Sequence, residues 1–152
     1  MRPIALALAL MLLPTAAFAA GWTAEMQEDE GGPVMTAYVL GEGAADTAPE
    51  LRMTCGSDGA SLRYLMVGVG DEPASEADFL FENESTQATL HMIFEEMDGA
   101  YAAYFPATDP VIALLKSGSE VLISEKSGNF PAQSFPLQGS SKAIDKLLKS
   151  CS

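Results

Sequence analysis

Two cysteines, Cys55 and Cys151, and one histidine, His91, sit among 21 acidic side chains. Redox, metal and acid–base chemistry are built from these residue types, so their spacing decides what chemistry is open. His91 lies in a segment, 89–95, that alternates as a strand and puts Thr89, Ile93 and Glu95 on its face. Four residues of extended chain span about 13 Å, so His91 and Glu95 do not touch, and a solvated or locally paired imidazole is expected. A zinc site needs three or four ligands, and bridged cysteines leave no closed Cys/His set. No serine stands in G-x-S-x-G, the turn that exposes a hydrolase nucleophile. Gly68-Val69-Gly70 lacks the third glycine and following helix of a phosphate loop, and Asp71 and Glu72 would repel phosphate.

The remaining candidates read as structure. Asp71, Glu72, Glu76, Asp78, Glu82 and Glu84 do not follow EF-hand spacing, and a solvated acidic face is the better reading. Asn83-Glu84-Ser85 fits the N-glycosylation pattern, a triplet that arises often by chance. Met53, Met66, Met92 and Met97 are not arranged as a copper-binding M-x-x-M, and core filling is the ordinary use of methionine. No carboxylate pair is singled out for glycoside hydrolysis. The sequence therefore assigns no catalytic, cofactor-binding or metal-ligating residue and implies no cofactor. The residues it does single out are the two cysteines.

Cys55 shares one face of an alternating segment with Leu51 and Met53, while Arg52 and Thr54 take the other. After Gly139 the pattern is helical. At about 100° per residue, Leu147, Cys151, Ile144 and Leu148 fall within about 140° of Ala143. Lys142, Asp145, Lys146 and Lys149 fall opposite. Both thiols thus point where a core should be. The compartment agrees: residues 1–19 carry Arg2, an apolar run and an Ala-Phe-Ala cleavage pattern, which reads as a signal peptide cut after Ala19. The apolar run is shorter than the about 20 residues a membrane span needs. An exported chain with two cysteines is expected to form a disulfide, Cys55–Cys151. Such a bridge closes a long loop, worth about 4 to 5 kcal/mol in the chain-entropy view. Two buried free thiols are the alternative.

Residues 20–152 suit a single domain. The charge is uneven: residues 20–110 hold 18 Asp and Glu against Arg52 and Arg63, a net −16. Residues 111–152 hold three acids against five lysines, a net +2. Nucleic acid is an improbable partner for such a chain, because phosphate binding needs a basic patch. Apolar and β-branched alternation predicts strands around residues 22–27, 34–40, 51–55, 62–67, 79–81, 89–95, 101–105, 121–123 and 133–137. Asp58-Gly59 and Asp98-Gly99 are hairpin signals, residues 68–78 read as a long acidic loop, and Pro136 argues for an edge strand. Thr108 or Asp109 can cap a short helix with Pro110 in its first turn and Gly118 beyond its end. The fold class expected is α+β: mainly antiparallel strands, as a sandwich or strongly curved sheet, with two short helices, the last packed on the sheet.

Several stretches carry a family likeness: Leu51-Arg52 leading to Cys55 and a hairpin, residues 110–115, Gly118-Ser119-Glu120-Val121, and Phe135-Pro136-Leu137-Gln138-Gly139-Ser140 with Ala143, Ile144, Leu147 and Cys151. In this order the chain resembles small exported bacterial proteins of the VasI-like group, associated with type VI secretion. Its ending also resembles the invasion-associated locus B group. The likeness runs from Leu51 to Cys151; the chain departs from it in having no arginine in Phe79-Leu80-Phe81 and no further cysteines near the mature N-terminus. The resemblance implies a periplasmic, non-enzymatic accessory protein with a strand-rich fold, a structural Cys55–Cys151 pair and no catalytic residues. The expected function is that of an envelope interaction protein whose partner is another envelope or secreted protein. The alternative is an acidic secreted inhibitor or binder of a basic enzyme.

Overall fold

The computed structural model describes residues 21–43, 47–56, 59–66 and 73–151. The signal peptide, Asp58 of the first hairpin signal and the Gly68–Glu72 part of the acidic loop lie outside the described residues. The elements are β1 (Thr23–Asp29), β2 (Gly32–Leu40), β3 (Glu50–Gly56), β4 (Gly59–Leu65), β5 (Glu76–Glu82), β6 (Gln87–Glu95), β7 (Ala100–Phe105), α1 (Pro110–Leu115), β8 (Glu120–Glu125), β9 (Gln133–Pro136) and α2 (Ser140–Ser150). The strands form one antiparallel sheet in the order β1-β2-β3-β4-β7-β6-β5-β8-β9. Hairpins join β1 through β4. The β5–β6–β7 meander is then laid in reverse, so that β7 meets β4 and β5 meets β8. Among the described residues no helix is long and apolar enough to cross a membrane.

The sheet is strongly curved. Near one end its two edges approach: Trp22, just before β1, donates its N–H to the carbonyl of Gln138, just after β9, at 2.9 Å, and Gly41, just after β2, lies against Ser134 and Phe135 of β9. Alternation sends Leu51 and Met53, Leu62 and Tyr64, Tyr101 and Ala103, Phe79 and Phe81, and Val121 and Ile123 to the concave face, where they are buried. Edge-to-face aromatic contacts run through this interior from Phe135 to Tyr64 (5.8 Å), Phe79 (5.5 Å) and Tyr101 (5.0 Å). Each buried side chain of this size contributes about 1.5–3 kcal/mol. The Tyr64 hydroxyl, whose pKa burial pushes up, donates to Gln133 Oε1 at 2.6 Å across the curve.

Two helices fill what the strands leave open. In α1, Asp109 accepts the Val111 N–H at 2.9 Å, Pro110 opens the helix, and Val111, Ile112, Leu114 and Leu115 are buried. In α2, Ala143, Ile144 and Leu147 are buried and Lys142, Asp145, Lys146 and Lys149 are exposed, as the angles require. Gly139 precedes α2 at φ +79°, a left-handed conformation that favours glycine, with the Trp22 carbonyl at 3.3 Å from where a Cβ would stand. Cys55 and Cys151 are bridged, with their Cα atoms 5.2 Å apart and a sequence separation of 96.

Four expectations change in detail. Cys151 is the C-cap of α2 and half-buried, because the helix ends at Ser150. Met97 does not fill the core: it sits at the β6–β7 turn, 94% exposed, while Met53 and Met92 are fully buried. Glu76 and Asp78 belong to β5 and not to a loop, because Ile93 and His91 of β6 pair with them. β4 ends at Leu65, which leaves Met66 outside the strand, and Val67 of the expected segment lies outside the described residues.

Candidate functional site

The acidic residues that the sequence groups together are split by the fold. Glu76, Asp78 and Glu82 alternate along β5 and face away from the core. Glu84 stands in the β5–β6 turn. Antiparallel pairing sets His91 directly across from Asp78. The imidazole Nδ1 lies 2.9 Å from Asp78 Oδ1, and Nε2 lies 3.5 Å from Glu76 Oε2. The hydrogen bond to Asp78, and then the charge of Glu76, raise the His91 pKa above its ordinary value. The imidazole is thus locally paired, as the strand spacing implied. Glu95 is engaged elsewhere.

Beside this trio lies a second network. Tyr104 alternates with the buried Ala103 and Phe105, so it points outward, and its hydroxyl donates to Glu95 Oε1 at 2.6 Å. That reach carries the side chain along β7 toward Ala100, the partner of Glu95. Ala100 and Ala102, on the same outer face, are buried. Arg63, across from Ala102, places Nε 3.0 Å from Glu95 Oε2 and a terminal nitrogen 3.2 Å from Asp98 Oδ2. The Nε contact is off the line of a hydrogen bond and acts as an ion pair. Arg52 is paired with Glu50 at 2.6 Å along β3. Both arginines of the sheet are therefore neutralised within the molecule. Ile93, 55% exposed, stands on β6 between the two networks, and Tyr104 of the second network, 64% exposed, stands on the adjacent strand.

Other clusters have structural duties. Asn83 Oδ1 accepts the N–H groups of Ser85 and Thr86, both at 3.0 Å. Its Nδ2 donates to the Leu114 and Ser117 carbonyls at 3.1 and 3.0 Å, satisfying the C-terminal end of α1. The glycosylation triplet is thus a turn and a helix fastener whose amide is in use. Glu84 Oε1 accepts the Ser119 hydroxyl and N–H, bonds that hold its carboxyl below the usual range, hydroxyl first. A side chain at Gly118, at φ +86°, would collide with that carboxylate. Glu82, Glu84 and Glu120 border an open cleft of about 370 Å³. Glu125, only 6% exposed, lies where desolvation would raise its pKa, yet the Asn129 and Ser127 N–H groups at 2.9 and 2.8 Å outweigh that and lower it.

Among the described residues no three His, Cys, Asp or Glu side chains converge as a metal site. Sequence reading missed Tyr104, Arg63, Asn83 and Glu125 as members of networks and Ile93 as an exposed residue beside them. Alternation carried the outward direction of Tyr104 and Ile93. The cross-strand partners had no local signal. No family model, curated protein or solved structure matches the chain.

Proposed function

We propose that this chain is a non-catalytic periplasmic accessory protein that acts by binding another protein of the bacterial envelope, in a role associated with secretion. What supports this most is how its ionisable groups are spent. His91 is held by Asp78 and Glu76, Glu84 by Ser119, Glu125 by its own turn and Glu95 by Arg63 and Tyr104. A general acid or base must be free to reach a substrate proton, and these side chains are already holding the fold. The concave interior is packed with aromatic rings and two helices, which leaves recognition to the surface. The disulfide fits an oxidising compartment, and the resemblance to exported secretion-associated proteins points the same way.

The test is crosslinking in intact cells followed by purification of the tagged chain. Repeated co-purification of one envelope protein at constant ratio is expected. Recovery of the chain alone, in the cytoplasmic fraction with reduced cysteines, would remove the reading. A second reading, an acidic inhibitor of a basic enzyme, is favoured by the internal pairing of both sheet arginines. It expects 1:1 capture of a basic enzyme that weakens with salt and abolishes that enzyme's activity.

A further inference from the structure

The outer faces of β5, β6 and β7 combine three features. The first is rigidity. These strands are central in the sheet and are backed on the concave side by Phe79, Tyr101 and Phe94 in edge-to-face contact at 5.0 and 5.2 Å. A platform ordered before binding loses little freedom when it is covered. The second is an apolar centre. Ile93 and Tyr104 are large, outward and exposed on neighbouring strands, and interface anchors are drawn from such aromatic and aliphatic side chains.

The third is charge. Glu76 and Asp78 border the centre on one side and Glu95 and Asp98 on the other, while Arg63 is spent within that second pair. Arg63 offsets one of these four charges and His91, when protonated, a second, so the perimeter keeps an excess of negative charge, and a neutral or acidic surface brought against it would bury that excess uncompensated. The same argument disfavours a second copy of this chain, whose formal net charge is −13, and an anionic lipid surface. A cationic surface gains on each count.

We propose that the outward face of β5–β6–β7, with Ile93 and Tyr104 as anchors inside a perimeter of Glu76, Asp78, Glu95 and Asp98, docks a basic folded protein. Lysine or arginine side chains of that partner meet the carboxylates, and an apolar patch of it covers Ile93 and Tyr104. This rests on reading the chain as an interaction protein, and it names the surface and the partner's chemistry.

The experiment places a photo-crosslinking amino acid at position 93 or 104 of the full chain in its own host, with the exposed positions 28 and 141, away from this face, as controls. Positions 93 and 104 are expected to give one adduct, identified by mass as a basic protein, that the controls do not give. Glu76→Lys with Asp78→Lys should cut its yield on the order of tenfold, and the milder Glu76→Gln with Asp78→Asn less. Circular dichroism and the melting temperature show that each variant is folded. An adduct to an acidic protein, to a second copy or to lipid overturns the proposal, as does a yield that ignores charge reversal in a folded variant. Adducts from positions 28 or 141 alone would move the docking surface elsewhere and leave the interaction reading standing. Absence of adducts from all four positions would count against both.

Discussion

The two helices are fastened to one sheet by opposite means. α1 is six residues long, and both its ends are satisfied by side chains: Asp109 takes the Val111 N–H, and Asn83 donates to the Leu114 carbonyl. Glu84 holds the segment that follows through Ser119. α2 is eleven residues long and begins at Gly139 with no side-chain cap. Its far end is held by the covalent bridge to β3. The lesson concerns distance along the chain. α1 takes its first cap from the neighbouring Asp109 and its last from a turn some thirty residues away within a compact meander. α2 comes last and must return to β1, β2 and β3, which were laid down at the other end of the chain. A helix end tends to fray, and a bridge there removes the freedom that fraying and unfolding would release. Lys116 and Asp145, 2.5 Å apart, tie the helices together, but an exposed pair adds little.

The contrast breaks first, and by most, at the bridge. Cys55→Ala with Cys151→Ala should cost about 4 kcal/mol in urea unfolding, and reductant should bring the parent chain to the same stability. Hydrogen exchange should then open α2 while α1 stays protected; equal opening of both would show that the helices are not fastened independently. Packing should be less selective. Leu147→Ala in α2 and Leu114→Ala in α1 are each expected to cost about 3 kcal/mol, since both side chains are buried. A negligible loss at Leu147 would mean that the bridge alone positions α2.

The polar fastenings sharpen the comparison at smaller scale. Asn83→Ala should destabilise by about 1–3 kcal/mol, because carbonyls at the end of α1 lose their donor. Asp109→Ala should cost about 1 kcal/mol. No single polar substitution in α2 should match either, and calorimetry of the series checks the ranking. The smallest effect lies on the outer face. Proton NMR should place the His91 pKa above its ordinary 6.5, and Asp78→Asn should return it toward that value. A group raised in this way stabilises the fold fully below its unfolded pKa and loses that contribution as pH rises through the folded value. A His91 pKa at or below 6.5 would mean that Asp78 and Glu76 do not hold the imidazolium.

Much of this was legible residue by residue. Leu51, Met53 and Cys55 alternate and do face the core together, and the α2 angles put Leu147 inside and Lys146 outside. The Asp109–Pro110 start of α1 needed only its own residues. The networks were not legible. His91 is thirteen residues from Asp78, and Arg63 is more than thirty from Glu95 and Asp98. Each depends on the register of a pairing that neither segment encodes alone. Met97 looks like any core methionine until the β6–β7 turn exposes it.

By itself the sequence determined the strand and helix segments, the facing of both cysteines and the imbalance of charge, because periods of two and 3.6 residues are set by neighbours along the chain. Tertiary structure decided the rest: a single curved sheet with β7 beside β4 and β5 beside β8, the pairing of His91 and of Arg63, and the exposure of Ile93 and Tyr104 on one outer face. The reason is physical. Which strand lies beside which, and in what register, is a choice among distant partners made by burying one shared apolar face, and residues far apart in sequence enter it together.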